Sequence, residues 1–527
     1  MARAHRASSG RPSLLPRDIF LSTARTRLSQ TPFPWIATIG VAVGAYGVWV
    51  TTPERATVLP SFLTVVATWT MLLTVAIFRH PQRQLRMSEP VLPVFGWMFY
   101  YFIKPMFSWL AGRRFAFESP STVLLEPDLV ARVQLLHVLF MLAFFASYYA
   151  VAPRVSFQAP FTEPDPPTPP RVRGLVLLGL LPYINTAIER VVTTGTILPT
   201  RSYGTTAFEN YEQVLASRAT GGADYIVTQI FAKIWFFPII ALGVGYGVTI
   251  ARYVSTRRWV YLLAFFAQVP ALFLLGPGSR SYSVYPFIIA IMIADLLAGP
   301  FQWRYLLALI GAGLPVFEFY GIARSYQDQG VREAIESSQQ QISARGDLVD
   351  TEDSGMLVKE AFCVVYGDHT HTTLGAEYFL NGVLQLLPMQ LVPDKARLWN
   401  TTNFLGQEFL GSSASRGAGM AGTSVGDGYL IGQEFGVVVL AVVFGFIPAW
   451  MQRVAAHAAP GKGPILWRYL LVMTFAVHSP QFVRADIGIL LNAAIFWVAV
   501  PAVALLAAEQ VVMTRLSFWR RQLARVT

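Results

Sequence analysis

GDGYLIGQEFGVVVLAVVFGFIPAWMQRVAAHAAPGKG runs from Gly426 to Gly463 and carries the plan of the chain in miniature. A glycine-rich loop leads into an apolar run over residues 429–451, and a loop with Arg453 and Lys462 follows. At a rise of about 1.5 Å per residue such a run reaches across the ~30 Å hydrocarbon core of a bilayer. A basic loop directly after it marks the cytoplasmic side. The question is how often this unit recurs.

It recurs throughout the 527 residues. The chain is 54% hydrophobic and 13% charged, where an ordinary soluble domain carries about a quarter charged residues. Mean hydropathy is +0.46. About twelve spans of bilayer length can be drawn: 34–51, 57–78, 91–111, 129–151, 174–192, 224–250, 259–276, 284–300, 305–322, 429–451, 465–480 and 487–508. The fifth is the weakest, since Glu189 and Arg190 fall near its end. The sequence lacks the ~10-residue alternating segments of a membrane β-barrel. The fold class is therefore an all-α polytopic membrane protein.

Charge sets the orientation. The N-terminal tail holds Arg3, Arg6, Arg11, Arg17, Arg25 and Arg27. RHPQRQLR follows span two, RVRG precedes span five, and ARYVSTRRW follows span six. MQRVAAHAAPGKG follows span ten and RLSFWRRQLAR follows span twelve. With the N-terminus inside, all six fall on one side, so both ends are expected in the cytoplasm. The net charge of +11 is thereby absorbed by the positive-inside bias, and no nucleic-acid partner is expected. One cysteine, Cys363, excludes an internal disulfide. The basic N-terminus lacks a small-residue cleavage site after an apolar core and reads as a cytoplasmic tail.

The expected organisation is a basic tail over 1–33, nine spans over 34–322, an external loop domain over 323–428, three spans over 429–508, and a tail over 509–527. FTEPDPPTPPRVR (161–173) reads as an extended cytoplasmic linker. Within the external domain, TLGAEYFLNGVLQLLPMQLVP suggests short helices lying on the membrane surface or re-entering it. The two halves of the chain do not match, against an inverted-repeat transporter.

Several cations sit where the bias does not want them. Arg280 lies in the short external turn GPGSRS, flanked by Ser279 and Ser281. Helix-breaking glycines and Pro277 leave N–H groups free there, and with hydroxyls and a guanidinium they suit an anion such as phosphate. The other reading is a tight turn whose arginine reaches to headgroups. HSPQFVRAD holds His478 and Arg484 in another external turn; Arg484 beside Asp486 also fits a local ion pair. Span nine ends near Glu318 and Arg324. Lys104 stands inside the apolar FIKPMF, as a functional charge or in a pair with Glu318 or Glu189.

The glycine-rich segment 412–436 holds Arg416 and Asp427. It can wrap an anion with its backbone, or simply link into the membrane. It lacks the Lys-Ser ending of a nucleotide loop. GDHTHT holds Asp368, His369 and His371. Two histidines at spacing two share a metal only on a strand, and no third ligand stands at motif spacing, so a polar loop or a hydrogen-bonding histidine is the simpler reading. His137 in span four reads as a satisfied polar core residue.

Four motifs in this order resemble the oligosaccharide repeat-unit polymerases, the O-antigen polymerase-like membrane proteins of bacteria. They are FIKPMF (102–107), GPGSRSYSVYPF (276–287), TSVGDGYLIGQEFGVVVLAVVFGF (423–446) and FVRADIGILL (482–491). The resemblance covers span three and most of spans seven to twelve. It implies a GT-C-like glycosyltransferase in the bacterial inner membrane with its site facing the periplasm. The chain departs from lipid-phosphate-sugar glycosyltransferases in having no acidic pair in its first external loop, TTPERA.

The implied substrates are undecaprenyl-diphosphate-linked oligosaccharides, as donor and acceptor, with membrane lipid around them. A chain-length regulator and a flippase are implied as partners. One unit's non-reducing end attacks the anomeric carbon of another, and undecaprenyl diphosphate leaves. Arg280, Arg484, Arg324 and Arg416, with Lys104, Ser279 and Ser281, would neutralise the diphosphate. His369, Asp368, Asp427, Glu408 and His478 are candidates for the base, Asp427 first. No metal and no cofactor is expected, because a diphosphate departs readily. An O-antigen-ligase-like transferase differs only in its acceptor. A lipid-linked sugar flippase would need charge along a path through the membrane, where mainly Lys104 and Lys233 sit deep.

Overall fold

The computed structural model describes residues 32–51, 57–79, 91–110, 125–152, 280–298, 356–370, 374–384, 422–457 and 481–484, with scattered positions between them. Among the described residues all regular structure is helical. The helices are α1 (Pro32–Thr51), α2 (Leu59–Arg79), α3 (Val91–Met98), α4 (Lys104–Leu110), α5 (Pro127–Val151), α6 (Arg280–Ala298), α7 (Met356–Thr370), α8 (Gly375–Leu384), α9 (Ser424–His457) and α10 (Gln481–Arg484). The stretches Leu59–Arg79, Pro127–Val151 and Ser424–Trp450 are long and apolar enough to cross a membrane. The chain is thus a helical membrane protein.

Side-chain pairs fix the relative directions of these helices. Thr38 meets Thr70 at 2.5 Å while Gly44 packs on Phe107, itself 5.2 Å from Phe62. As α1 advances, α2 recedes, so the two are antiparallel. Trp69 lies against Phe95, its Nε1–H donating to the Phe95 carbonyl at 3.0 Å. With Phe62 on Phe107, the α3–α4 segment is antiparallel to α2. Phe95 stacks on Phe145 at 4.3 Å and Phe102 on His137 at 4.2 Å, which turns α5 back again. Arg79 at the end of α2 covers the Tyr149 ring at the end of α5, as parallel helices require. The alternation agrees with the order of the first four spans expected from the sequence.

A π turn over Phe99–Ile103 joins α3 to α4, with the Lys104 N–H bonded back to the Phe99 carbonyl. Its cause is Pro105. Proline cannot donate to the carbonyl four residues back and its ring crowds it, so the preceding turn widens.

The spacing 429–451 expected for span ten is corrected in detail. α9 begins earlier, at Ser424, and is not straight. Gly432 (φ −174°, ψ 40°) and Gln433 (φ 53°, ψ −140°) break it. A Cβ on Gly428 would lie 2.6 Å from the Cα of Val437. In a straight helix those residues stand about 13.5 Å apart. The short arm, 424–431, therefore folds back onto the start of the long arm, 434–457. A side chain at Gly436 would collide with the Gly428 carbonyl, so both glycines serve close backbone contact.

The long arm runs parallel to α5. Glu434 meets Arg132, Ser147 donates to the Val442 carbonyl at 2.8 Å, and Tyr148 bonds Gln452. Gly445 packs directly on the Phe144 backbone, the small-residue approach that membrane helices use in place of a hydrophobic drive. A second close pair lies elsewhere: Gly243 and Gly247 face Ile289 and Ile293 of α6. Their register ascends together, so that segment is parallel to α6.

Residues 356–364 of α7 are buried on every side. This helix packs against α5 and α9. α8 is the amphipathic piece. Tyr378 and Gly382 are buried while Leu380 and Val383 are exposed.

Candidate functional site

The centre of the bundle is polar. Lys104, Lys359, Glu360, Asp427, His137, Gln134, Thr423 and Ser424 are all buried, none more than 5% exposed. Two lysines and two carboxylates cancel formally. His137 stands ten residues into α5, about 15 Å along its axis, so the polar layer lies at bilayer depth rather than at a rim. Ionisable groups at such depth are costly and are functional candidates for that reason.

Glu360 is the hub. His137 Nε2 lies 2.8 Å from its Oε2, and the Thr423 hydroxyl donates to its Oε1 at 2.5 Å. Thr423 is also the cap of the short arm: its Oγ1 accepts the Gly426 N–H at 3.2 Å, satisfying a helix-start donor. Ser424 donates to the Phe482 carbonyl at 3.1 Å, which ties α10 to the same spot. Gln134 donates to His137 Nδ1 at 3.4 Å. His137 is thus a satisfied core residue, in agreement with its sequence reading.

Asp427 sits in the first turns of the short arm, 1% exposed. Tyr378 of α8 donates to its Oδ2 at 2.6 Å. The lone cysteine, Cys363, lies beneath the same arm, since a Cβ on Gly426 would come within 3.1 Å of its Sγ.

The cation side is built on the π turn. Lys104 Nζ lies 4.2 Å from the centre of the Tyr100 ring, a cation–π contact. Arg484 of α10 donates to the Tyr101 hydroxyl at 3.5 Å. The two rings are 5.0 Å apart and perpendicular. Phe102, in the same turn, covers His137. One continuous path of contacts thereby links Lys104 and Arg484 to His137, Glu360, Thr423 and the arm that bears Asp427.

A half-exposed cluster caps this centre. Arg132 donates to Asp368 Oδ2 at 2.5 Å and to Glu434 at 3.0 Å, and also bonds the Tyr429 hydroxyl. Tyr429 in turn donates to Asp368 Oδ1 at 2.6 Å. Partial burial raises the Asp368 carboxyl. The hydrogen bonds from Tyr429 and Arg132, with the nearby charges of Arg132 and His369, outweigh it and hold the group below its usual 3.8. An ionised, paired carboxylate of that kind is a weak base.

Of the residues singled out from sequence, Lys104, Arg484 and Asp427 come to the polar centre, and Asp368 to the cluster above it. His369 is exposed in the last turn of α7. The helix holds Asp368 and His369, His371 lies outside the described residues, and among the described residues no three His, Cys, Asp or Glu side chains gather as metal ligands would. Arg280 opens α6 and Ser281 follows it in the helix. Ser279, Arg324, Arg416, Glu408 and His478 lie outside the described residues. Sequence reasoning missed Arg132, Lys359, Glu360, Tyr429 and Glu434. The available signal was the pair Lys359–Glu360 inside the otherwise apolar MLVKEAFCVV.

No family model, curated protein or solved structure matches the chain.

Proposed function

We propose that this protein is a membrane glycosyltransferase that joins undecaprenyl-diphosphate-linked oligosaccharide units into a polysaccharide on the outer side of the bacterial inner membrane. In this reading the chain crosses about twelve times in a GT-C-like arrangement with both ends in the cytoplasm. The parallel course of α2, α5 and the long arm of α9 supports it, because these are even-numbered spans in that count.

One observation carries the reading. Lys104 and Arg484, from distant parts of the sequence, converge on the adjacent rings of Tyr100 and Tyr101. Lys104 on one ring and Arg484 on its neighbour form a cationic side of the polar centre, and cations inside a membrane protein mark a functional candidate. A lipid diphosphate is the anion a membrane site meets at that level, and cations fixed in advance are what its developing charge requires as it leaves. Arg280 and Ser281, at the start of a helix, add to that role.

The chemistry follows from the parts. The diphosphate oxygens lie against Lys104 and Arg484. The acceptor hydroxyl loses its proton to Asp427, whose Tyr378 partner releases it. The acceptor oxygen bonds to the anomeric carbon, and the bond from that carbon to the diphosphate oxygen breaks. Undecaprenyl diphosphate leaves with its charge held. The buried Glu360 chain keeps the two sides in register.

The test is binding of undecaprenyl diphosphate to the purified protein in nanodiscs. Arg484→Ala and Lys104→Met are each expected to weaken it about tenfold or more, as loss of a charged hydrogen bond does. Equal binding by wild type and both variants would remove the observation on which the reading stands.

A further inference from the structure

Arg132 has no part in the chemistry above, yet it holds the residues around the break in α9. Its guanidinium bonds Tyr429 on the short arm, Glu434 on the long arm, and Asp368 at the end of α7. The break itself is unfavourable. Gln433 adopts φ 53° and ψ −140°, a region that side chains avoid and that persists only where the surroundings enforce it. Arginine suits the task, since its planar fork reaches several acceptors at once.

We infer that Arg132 is a positioning residue: it clasps the two arms of α9 to α7 and so holds the short arm, with Asp427, over Cys363 and under Tyr378. The inference rests on the proposed role of Asp427, but the clasp can be scored without it. Asp427 is closed to solvent in this arrangement, so its correct placement depends on how far the arm moves. With the clasp gone, the arm keeps its anchors through Thr423 and Ser424 and the bonds of Tyr429 to Asp368 and of Tyr378 to Asp427, but loses the tie that Arg132 makes between its Tyr429 and Glu434 of the long arm. It then samples positions in which Asp427 no longer faces its partners.

The chain's own cysteine reports on this. Cys363 is buried beneath Gly426, and it is the only cysteine in the sequence. A maleimide reaches it only when the short arm lifts. The experiment measures the labelling rate of Cys363 in the full-length protein in nanodiscs, with the fully reactive SDS-denatured protein as reference, alongside turnover of the lipid-linked repeat unit.

Arg132→Gln is expected to label about tenfold faster or more, since opening free energy sets the exposed population. Its kcat falls by a similar factor while KM for the donor, held by Lys104 and Arg484, changes little. Arg132→Lys, with one donor group in place of a fork, lies between. Gln433→Gly relieves the backbone and labels no faster than wild type; added to Arg132→Gln, it slows labelling again.

Folded Arg132→Gln protein with wild-type labelling overturns the clasp. Faster labelling with unchanged kcat overturns the positioning role and leaves the clasp as architecture. Wild type that turns over no lipid-linked glycan defeats the proposed function, while labelling still decides the clasp. If Arg132→Gln does not insert, Glu434→Ala and Asp368→Ala each remove one partner and are expected to raise labelling a few-fold; no rise in either overturns the inference.

Discussion

Replacing Glu360 by alanine strikes the hub of the buried centre. The carboxylate is 1% exposed, accepts from Thr423 at 2.5 Å and faces His137 at 2.8 Å. Two magnitudes compete. Treated as two ordinary hydrogen bonds between membrane helices, at an average of about 0.6 and a maximum of about 1.7 kcal/mol each, the loss is about 1–3 kcal/mol. Treated as a buried ionic partner removed, leaving a hydroxyl and an imidazole stranded, it is about 3–5 kcal/mol. The second applies here, because both stranded groups are buried at 1% exposure. Glu360→Gln separates the effects. Its carbonyl still accepts from Thr423 while the ring N–H loses its acceptor, so a smaller loss of about 1–3 kcal/mol is expected. The assay is equilibrium unfolding in mixed micelles, followed by tryptophan fluorescence. An alanine variant within about 1 kcal/mol of wild type would refute the reasoning, since even one stranded donor costs that much.

Other outcomes follow from single contacts. Gly445→Leu drives a side chain into the Phe144 backbone and is expected to lower stability by several kcal/mol, about as severe overpacking does, read as a drop in melting temperature. Asp368 has a folded-state pKa held below its unfolded value. Its contribution is therefore complete above the ordinary 3.8 and is lost as pH falls through the lower folded value. Asp368→Asn should flatten the stability profile in that acid range and leave the profile near neutrality parallel to wild type. His369→Ala, at an exposed position, should leave stability within about 0.5 kcal/mol.

The helical membrane class was legible because nothing but apolar runs of bilayer length explains such a composition. Relative directions were legible too, since basic loops impose an alternation that Arg79 on Tyr149 and Arg132 on Glu434 reproduce. Lys104, Arg484 and Asp427 stood out as charges in the wrong surroundings. The broken α9 did not, because a Gly-rich entry to a span reads equally as a loop. Thr423 as a cap and burial against α7 override the low helix propensity of Gly426 and Gly428. Glu360 and Lys359 were invisible for a different reason. In a segment read as external, charges need no explanation, and only the packing of α7 into the bundle gives them a cost. Arg132 was hidden by its place near a span's start, where an arginine ordinarily faces headgroups.

The most direct test uses a strain lacking this protein, complemented with wild type, Arg484→Ala or Arg280→Ala, with lipid-linked glycans and surface polysaccharide run on one gel. Long chains with wild type, and single repeat units reaching the surface with either variant despite normal insertion, are the expected result. Long chains accumulating on the lipid carrier in the uncomplemented strain would point instead to a ligase. Units trapped on the cytoplasmic face would point to a transporter, and normal chain length in both variants would contradict the diphosphate clamp.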